Sequence, residues 1–213
     1  MNRTPSERLV IFTKYPRPGF AKTRLAATLG SENAARLQQQ LTERVIKMTR
    51  PIDTLRAVER VIYYTGGTEQ QMLSWLGEET PLIKQGGSDL GARMLTALRD
   101  SREQNIVRTI IIGADCPFID HHLVARAFAH LERHHLVLGP AIDGGYYLIG
   151  LRGDLSSASL SELFEDISWG SDAVYRQTLD RAKTLNLSHI SLAPLNDIDH
   201  PDDLRHLDYH PGP

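Results

Sequence analysis

The chain alternates short hydrophobic runs with longer segments in which hydrophobic residues recur every three or four positions. Runs of the first kind are typical of buried strands, and segments of the second kind are typical of amphipathic helices. Their alternation predicts βαβ units and therefore an α/β fold with a mostly parallel sheet. The predicted strands cover residues 9–13, 60–65, 81–84, 109–113, 135–139, 146–151 and 189–192.

The clearest helical pattern covers residues 31–48, and Ser31 is the expected N-cap. Its apolar face is predicted to consist of Ala34, Leu37, Leu41, Val45 and Met48. Further helices are predicted at residues 68–76, 88–99, 120–134 and 171–183. The sequence has no internal repeat and no linker rich in Gly, Pro and Ser, so we expect residues 1–213 to form a single domain.

Charge is divided unevenly along the chain. The total is −2, from 24 basic and 26 acidic residues, but residues 1–50 carry +7 and the rest −9. The basic segment indicates either a phosphate-rich partner or an ordinary solvated surface. Aromatic residues make up only 7% and do not alternate with cations, which argues against nucleic-acid binding. The single cysteine and the absence of any apolar stretch near about 18 residues predict a soluble cytoplasmic protein without a membrane partner.

A basic loop follows the first predicted strand. Lys14, Arg17, Lys22 and Arg24 surround the flexible Gly19, between a strand and the start of a helix. Backbone N–H groups at such a position favour anions, so the loop is a candidate phosphate site, although a solvated basic loop explains it equally well. The segment is not a Walker A loop, because its glycine lies three positions before Lys22 rather than directly before it.

Acidic residues follow two other predicted strands. Asp115 lies just beyond residues 109–113, where open α/β sheets bind ligands, and it suits a hard divalent cation. Asp197 and Asp199 alternate along an extended segment and face the same side, so that a carboxylate from this segment would complete a site with Asp115. The alternatives are a turn cap at Asp115 and an acidic helix N-terminus after Asp199. Cys116 is interpreted as a small packed thiol and not as a nucleophile.

A glycine-containing turn presents another carboxylate. Asp143, Gly144 and Gly145 form a predicted tight turn with positive φ between two strands, followed by Tyr146 and a second tyrosine. Hairpin geometry alone explains the glycines, but the carboxylate is also placed to orient or deprotonate a hydroxyl acceptor. Trp169, which lies in a loop beside a glycine, is either a core residue or a platform on which a ligand stacks.

Together these segments resemble a family of bacterial glycosyltransferases, the rSAM/selenodomain-associated transferase 1 family. The residues that carry the resemblance are Lys14, Pro18-Gly19, Lys22-Thr-Arg-Leu25, Gln85, Asp89-Leu-Gly-x-Arg-Met94, Gly113-x-Asp-Cys-Pro117, the Gly139-Pro-Ala-x-Asp-Gly-Gly-Tyr-Tyr-Leu-Ile-Gly150 segment and Trp169-Gly-Ser171. The family is similar to the nucleotide-diphospho-sugar transferase superfamily. The resemblance therefore implies a GT-A-type three-layer α/β/α sandwich with a mostly parallel mixed sheet, and Mg²⁺ or Mn²⁺ to hold a nucleotide pyrophosphate.

The resemblance and the residue patterns together assign candidate roles. By resemblance, Asp115 and Asp199 would hold the metal. The candidate nucleotide-binding residues are Lys14, Pro18, Gly19, Lys22, Arg24 and Asp115. The candidate catalytic residues are Asp143, Lys22 and Arg24, and the candidate substrate-binding residues are Gly144, Gly145, Tyr146 and Trp169. The first loop lacks the glycine-rich pattern of many nucleotidyltransferases, and His200 stands where those relatives commonly have threonine.

Three functions fit these expectations. The first is a metal-dependent glycosyltransferase that moves a sugar from a nucleoside-diphosphate sugar to a small hydroxyl acceptor. The second is a nucleotidyltransferase that joins an NTP to a phosphorylated small molecule and releases pyrophosphate. The third is a nucleotide-binding module without turnover. The first two take a nucleotide or nucleotide-sugar and a small-molecule acceptor as partners, and the motifs leave the sugar, the acceptor and the oligomeric state open.

Overall fold

The fold is built on one mixed β-sheet of seven strands. The computed structural model describes residues 6–207. The strands are β1 (Glu7–Lys14), β2 (Val58–Thr65), β3 (Leu82–Lys84), β4 (Arg108–Gly113), β5 (Leu136–Pro140), β6 (Tyr146–Arg152) and β7 (His189–Ser191). Each of the seven predicted strands is confirmed, with ends that differ by at most two residues. Their order across the sheet is β3-β2-β1-β4-β6-β5-β7.

The direction of the strands brings several loops to one edge. β6 runs antiparallel to both β4 and β5, and the other pairs are parallel. In the pairing of β1 with β4, Phe12 lies opposite Gly113, so the two strands end side by side. The loops that follow Lys14 and Gly113 therefore leave the sheet at the same edge as the turn that leads into β6. We call this the carboxyl edge of the sheet.

The helices flank the sheet. They are α1 (Thr23–Leu29), α2 (Ser31–Thr49), α3 (Glu69–Leu76), α4 (Leu90–Glu103), α5 (His121–Leu131), α6 (Ser157–Glu162) and α7 (Val174–Thr184), with 3₁₀ helices at Arg50–Thr54 and Pro201–His206. All five of these predicted helices are present, and the 3₁₀ helix at Pro201–His206 lies where a helix was expected after Asp199, but α1, α6 and the 3₁₀ helix at Arg50–Thr54 were not predicted. The expected N-cap of α2 was wrong, because Ser31 is already helical and Gly30, with φ +78°, occupies the capping position.

Two hydrophobic clusters lie on opposite faces of the sheet. One face packs against α2 and α5, through residues such as Val45 and Phe128. The other packs against α4, α6 and α7, through residues such as Leu98 and Leu160. This arrangement confirms the expected three-layer α/β/α sandwich. The predicted apolar face of α2 is buried except for Met48, which lies at the end of the helix and is exposed.

None of the helices in residues 6–207 combines the length and the apolar character needed to span a bilayer.

Candidate active site at the carboxyl edge of the sheet

A cavity of about 830 Å³ opens at the carboxyl edge, and its volume is in the range of small-molecule sites. Of the candidate site residues, its wall contains Lys14, Lys22, Arg24, Asp115, Asp143, Gly145, Tyr146 and Asp199. The structure therefore brings the basic loop, the residue after β4, the β5–β6 turn and the acidic C-terminal segment to one place, as expected from the resemblance.

Lys22 lies at the centre of the charged part of this cavity. Its Nζ is 2.5 Å from Asp115 Oδ1 and 2.7 Å from Asp199 Oδ1, and it donates a hydrogen bond to the Ile198 carbonyl oxygen at 2.7 Å. The contact with Asp115 is an ion pair rather than a well-aligned hydrogen bond. The side chain of Lys22 is only 3% exposed. Both predicted metal ligands thus converge on a single point, and the ammonium group of Lys22 occupies it.

The two carboxylates hold Lys22 in its charged form. Burial by itself lowers the pKa of Lys22, but attraction to Asp115 and then to Asp199 outweighs burial, and the net shift is upward. Burial likewise acts to raise the pKa of Asp199, whereas Lys22 lowers it, and the net shift is downward. Lys22 also adopts the left-handed conformation, with φ 47° and ψ 47°, at the N-cap of α1. A non-glycine residue in this region indicates a locally constrained backbone.

Asp197 is a third carboxylate in the cavity wall. Its Oδ1 is buried without a hydrogen-bond partner among the described residues. Burial, followed by repulsion from Asp115, Asp143 and Asp199, raises the pKa of Asp197 to about 8. Its position beside Asp199 agrees with the predicted period-two alternation, although the sequence assigned a metal role only to Asp199. Cys116 is buried, which confirms it as a packed thiol, and burial followed by the charge of Asp197 raises its pKa.

The donor set suits a divalent cation. Asp115 and Asp199 offer hard oxygen ligands to one point, and the unpartnered Oδ1 of Asp197 lies in the same wall. Within residues 6–207, no group of three or more His, Cys, Asp or Glu side chains is already arranged around a common ion position. A cation held here would therefore use the Asp115 and Asp199 pair together with phosphate or water oxygens, and it would replace the Lys22 ammonium between them.

Asp143 is held by the turn between β5 and β6. Its Oδ1 accepts a hydrogen bond from the Gly145 N–H at 2.9 Å. Gly144 has φ +92°, and a Cβ there would lie 2.1 Å from the Asp172 carbonyl oxygen. The Gly144 carbonyl also accepts a hydrogen bond from the Tyr175 N–H at 2.9 Å. The predicted positive φ is confirmed at Gly144 but not at Gly145. The turn is thus packed tightly against the start of α7, which fixes the backbone that carries Asp143.

Four candidate site residues lie outside the wall of the cavity. Pro18 and Gly19 are exposed in the basic loop, where Arg17 stacks over the Phe20 ring at 4.3 Å. Gly144 faces the Asp172 backbone. Trp169 packs against Phe164 and covers Gly91, where a Cβ would come within 2.4 Å of the indole ring. The structure therefore gives Trp169 a packing position, since the tight contact with α4 leaves no room for a ligand on that side.

Comparison with known proteins places the chain in a family. Residues 48–171 match the bacterial family described as "Uncharacterized protein conserved in bacteria (DUF2064)". The chain belongs to this family. The matched segment of DUF2064 includes Asp115 and Asp143, whereas Lys22 and Asp199 lie outside it and reach the site through the fold. The narrower resemblance to rSAM/selenodomain-associated transferases stays a prediction. A search of curated proteins found no significant match.

Solved structures share the fold. A protein from Desulfovibrio desulfuricans G20, described as a "putative nucleotide-diphospho-sugar transferase", is 30% identical, with a TM-score of 0.84 over 92% of this chain and 84% of its own. The 4-diphosphocytidyl-2C-methyl-D-erythritol synthase of Anaerococcus prevotii DSM 20548 is 9% identical, with a TM-score of 0.61 over 94% of each chain. Rv0371c of Mycobacterium tuberculosis H37Rv, solved with manganese, is 14% identical, with a TM-score of 0.59 over 96% of this chain and 98% of its own. Because the last two proteins are only 9% and 14% identical to this chain, their similarity supports the fold and not a function.

The sequence missed several residues of the cavity wall. Gln38 of α2 and Met94 of α4 both contribute to it. The pattern predicted α2 as a packing element, and for the helix at residues 88–99 it favoured packing over a position lining the pocket. Gln85 also lines it, just beyond β3, where its Nε2 donates to the Tyr63 carbonyl oxygen at 2.9 Å. Gln85 and Met94 carried the family resemblance, and that was the available signal for them. Gln38 has none, because its burial depends on how α2 lies across the sheet.

Proposed function

We propose that this protein is a divalent-metal-dependent glycosyltransferase that moves a sugar from a nucleoside-diphosphate sugar to a small hydroxyl acceptor. The observation that carries the proposal is the convergence of Asp115 and Asp199 on one buried cation position at the carboxyl edge of the sheet. The 30% identity to the Desulfovibrio protein described as a "putative nucleotide-diphospho-sugar transferase" supports the same substrate class.

The charged part of the cavity suits a diphosphate leaving group. Mg²⁺ or Mn²⁺ bound by Asp115 and Asp199 would supply positive charge next to the diphosphate oxygens. Lys14 and Arg24 line the same wall, and neither makes an ion pair within residues 6–207. They, and Lys22 once it is released from the carboxylates, would neutralise charge that develops as the glycosyl C–O bond breaks.

Asp143 is the proposed general base. Its Oδ1 accepts the hydrogen bond from the Gly145 N–H within the turn. The second carboxylate oxygen, Oδ2, is left to take the proton from the hydroxyl group of the acceptor. In this reaction the acceptor oxygen bonds to the anomeric carbon, the bond from that carbon to the diphosphate breaks, and the proton passes to Asp143. The nucleoside diphosphate leaves with the electron pair of the broken bond.

A nucleotidyltransferase is the second candidate. The sequence offered four cations in the first loop, which would suit the triphosphate of such an enzyme. In the structure, Arg17 stacks on Phe20, and Lys22 is paired with two carboxylates until a metal ion replaces it. Lys14, Arg24 and the released Lys22 would serve a diphosphate and a triphosphate alike, so the choice rests on the similarity to the Desulfovibrio protein. The products separate the two reactions, because a nucleotidyltransferase releases pyrophosphate and a glycosyltransferase releases a nucleoside diphosphate.

Calorimetry with UDP-, GDP- and ADP-sugars, with and without Mn²⁺, tests the proposal. We expect at least one sugar nucleotide to bind only when the metal is present. Asp115→Asn and Asp199→Asn are each expected to weaken that binding at least tenfold. Asp53→Asn is the matched control, because Asp53 is an exposed aspartate paired only with Arg60 away from the cavity. Absence of metal-dependent binding across the whole panel would refute the proposal.

A further inference from the structure

The charges in the wall of the cavity are divided between two ends. Within residues 6–207, the lysines and arginines of the wall are Lys14, Lys22 and Arg24, which lie in the loop after β1 or at the start of α1. The β5–β6 turn and the segment before α7 contribute two aspartates instead. We call this part of the wall the acidic end, and it consists of Asp143, Gly145, Tyr146, Ser171, Asp172 and Val174.

The order of the strands separates the two ends. β4 lies between β1 and β6 in the sheet, and Asp115 follows β4 directly. Along the carboxyl edge, the basic loop therefore comes first, the carboxylate pair of Asp115 and Asp199 second, and the turn before β6 third. A diphosphate held by the basic loop directs the rest of the reacting molecules, beyond the carboxylate pair, toward the acidic end.

Both aspartates of the acidic end have carboxylate oxygens without a partner. Within residues 6–207, the Asp172 carboxylate makes no ion pair or hydrogen bond, and Asp143 uses only Oδ1, on the Gly145 N–H. Asp172 meets Gly144 through its main chain, since a Cβ at Gly144 would lie 2.1 Å from the Asp172 carbonyl oxygen. Because Gly144 directly follows Asp143, the two aspartates lie on segments that are in contact. The acidic end therefore presents two neighbouring carboxylates to a ligand.

The start of α7 does not offset this negative charge with free backbone donors. The Ala173 N–H donates to Ser171 Oγ at 3.2 Å, and the Tyr175 N–H donates to the Gly144 carbonyl oxygen at 2.9 Å. A phosphate group at the acidic end would thus face two carboxylates and no lysine or arginine of the described wall. An ammonium group would instead form charge-assisted hydrogen bonds there.

We propose that the acidic end binds a positively charged acceptor, an amino alcohol whose hydroxyl group lies at Asp143 and whose ammonium group pairs with Asp172. This inference rests on the proposed glycosyltransferase function and adds the chemical class of the acceptor. The ion pair contributes affinity, and the fixed turn orients the hydroxyl oxygen for transfer.

The Gly145 N–H donates to Asp143 and therefore reports directly on the acidic end. Protein labelled with ¹⁵N is titrated with ethanolamine and glucosamine, and with their neutral counterparts ethylene glycol and glucose, at a pH at which both amines are protonated. We expect the Gly145 resonance to shift saturably, and each amine to bind about fivefold more tightly than its counterpart, as for one partly exposed ion pair. The Gly77 amide, outside the cavity, should not respond. No saturable shift of Gly145, or equal affinities within both pairs of compounds, overturns the inference.

A pair of variants separates Asp172 from the rest of the surface. Asp172→Asn keeps the main-chain contact with Gly144, so the turn is expected to persist. It should remove the preference for the amines and leave the affinity for the neutral compounds unchanged. Asp180→Asn removes the same charge from an exposed aspartate of α7, which pairs with Lys183 outside the cavity, and should change neither affinity. If Asp172→Asn kept the preference, or if both variants lost it equally, the inference would be wrong.

The titrations with amines need neither metal nor nucleotide. A protein that prefers amines at the acidic end but binds no sugar nucleotide in the presence of Mn²⁺ would therefore refute the proposed function alone. A protein that binds sugar nucleotides but shows no preference for amines would refute this inference alone.

Discussion

Lys22 fills the position that a metal ion would need. Its ammonium group donates hydrogen bonds to Asp199 and to the Ile198 carbonyl oxygen, and it forms an ion pair with Asp115. A buried cation held in this way keeps two carboxylates together at a short distance, where they would otherwise repel each other. The same contacts make Lys22 a competitor of any divalent cation that binds to the pair.

Replacement of Lys22 by methionine should therefore change metal binding and stability in opposite directions. Without the competing ammonium, Mn²⁺ should bind about tenfold more tightly in the absence of nucleotide. In EDTA, Lys22→Met should lower the melting temperature, because two partly buried carboxylates lose their partner, and Mn²⁺ should restore it. Calorimetry and thermal melts measure both effects.

Lys14→Met is the matched control for this prediction. It removes the same charge from the same cavity wall, but Lys14 makes no ion pair with Asp115 or Asp199. If Lys22→Met bound Mn²⁺ no more tightly than Lys14→Met, competition at the carboxylate pair would be ruled out.

Asp197 should make the metal-free protein less stable as the pH rises. Its pKa is about 8 in the folded chain and about 4 in the unfolded chain, so between these values the unfolded chain releases a proton that the folded chain retains. The stability that protonated Asp197 contributes is complete below about pH 4 and is lost as the pH rises through about 8. Asp197→Asn cannot ionise and should remove this loss.

Thermal melts in EDTA at pH 5 and pH 8 measure the effect. We expect the loss of stability between the two pH values to be smaller in Asp197→Asn by at least about 1.4 kcal/mol, the equivalent of one pKa unit. Asp53→Asn, at an exposed aspartate, should follow the unchanged protein. Parallel pH profiles for all three proteins would contradict the elevated pKa.

For the residues of the candidate site, the local sequence pattern predicted where each side chain lies better than it predicted which side chains it contacts. Asp115 was placed by its distance from the end of a buried strand, and Asp197 with Asp199 by their alternation, and all three line the cavity. That Lys22 would lie between two of them was not predictable, because residues 22 and 199 meet only through the packing of α1 against the C-terminal segment. For Trp169 the sequence left two interpretations, a core residue or a contact with a ligand. Its packing depends on Gly91, which is distant in sequence.

Among the elements, the β5–β6 turn has the most stringent geometry. Gly144 has positive φ and lies against the Asp172 backbone, so that any side chain must displace one segment or the other. Because Asp143 is the preceding residue, displacement of the turn moves the proposed base.

Gly144→Ala is therefore expected to destabilise the protein and to reduce transfer activity by at least tenfold, with sugar-nucleotide binding less affected. Gly77→Ala is the matched control. Gly77 also has positive φ, but an added Cβ there meets no atom within 4 Å, and it ends α3 away from the cavity. It should show only the backbone strain, about 1–3 kcal/mol, and normal activity. Denaturant unfolding and initial rates compare the two variants, and equal losses of stability in both would show that the Asp172 contact is unimportant.

The elements that sequence pattern predicted are those whose pattern is long or strongly apolar. The strands at the centre of the sheet, β1 and β4, are continuous hydrophobic runs, and α2 extends over five turns with a regular apolar face. By contrast, α1 has seven residues and α6 has six, too few to show a period. The start of α1 was also not predictable from the sequence, because its N-cap residue is Lys22 in the left-handed conformation, and lysine is not a preferred N-cap residue.

Across the whole molecule, the charge division of the sequence separates into two different networks. Lys14, Lys22 and Arg24 belong to the carboxyl edge of the sheet, as the basic first segment suggested. Arg8, from the same segment, lies at the opposite edge, where it is buried and pairs with Glu59 at 2.6 Å. The positively charged first segment therefore contains both residues of the candidate site and residues that stabilise the sheet. Their positions in the sequence alone do not distinguish the two groups.

The edge of the sheet opposite the cavity should contribute stability without contributing function. Glu7 is nearly buried and accepts two hydrogen bonds from Arg56 and one from Arg108, each at 2.7 Å, at the amino ends of β1 and β4. Glu7→Gln leaves Arg108 without its carboxylate and leaves Arg56 with Glu132 alone. Since both are partly exposed, water replaces some of the loss, and we expect destabilisation of about 2 kcal/mol, or about 4–8 °C in melting temperature. Mn²⁺ affinity should not change. Asp199→Asn should behave in the opposite way, with a large loss of Mn²⁺ binding. Calorimetry and thermal melts compare the two variants. If Glu7→Gln also weakened Mn²⁺ binding, the two edges would be coupled through β1. The division of the sheet into a stabilising edge and a functional edge would then be wrong.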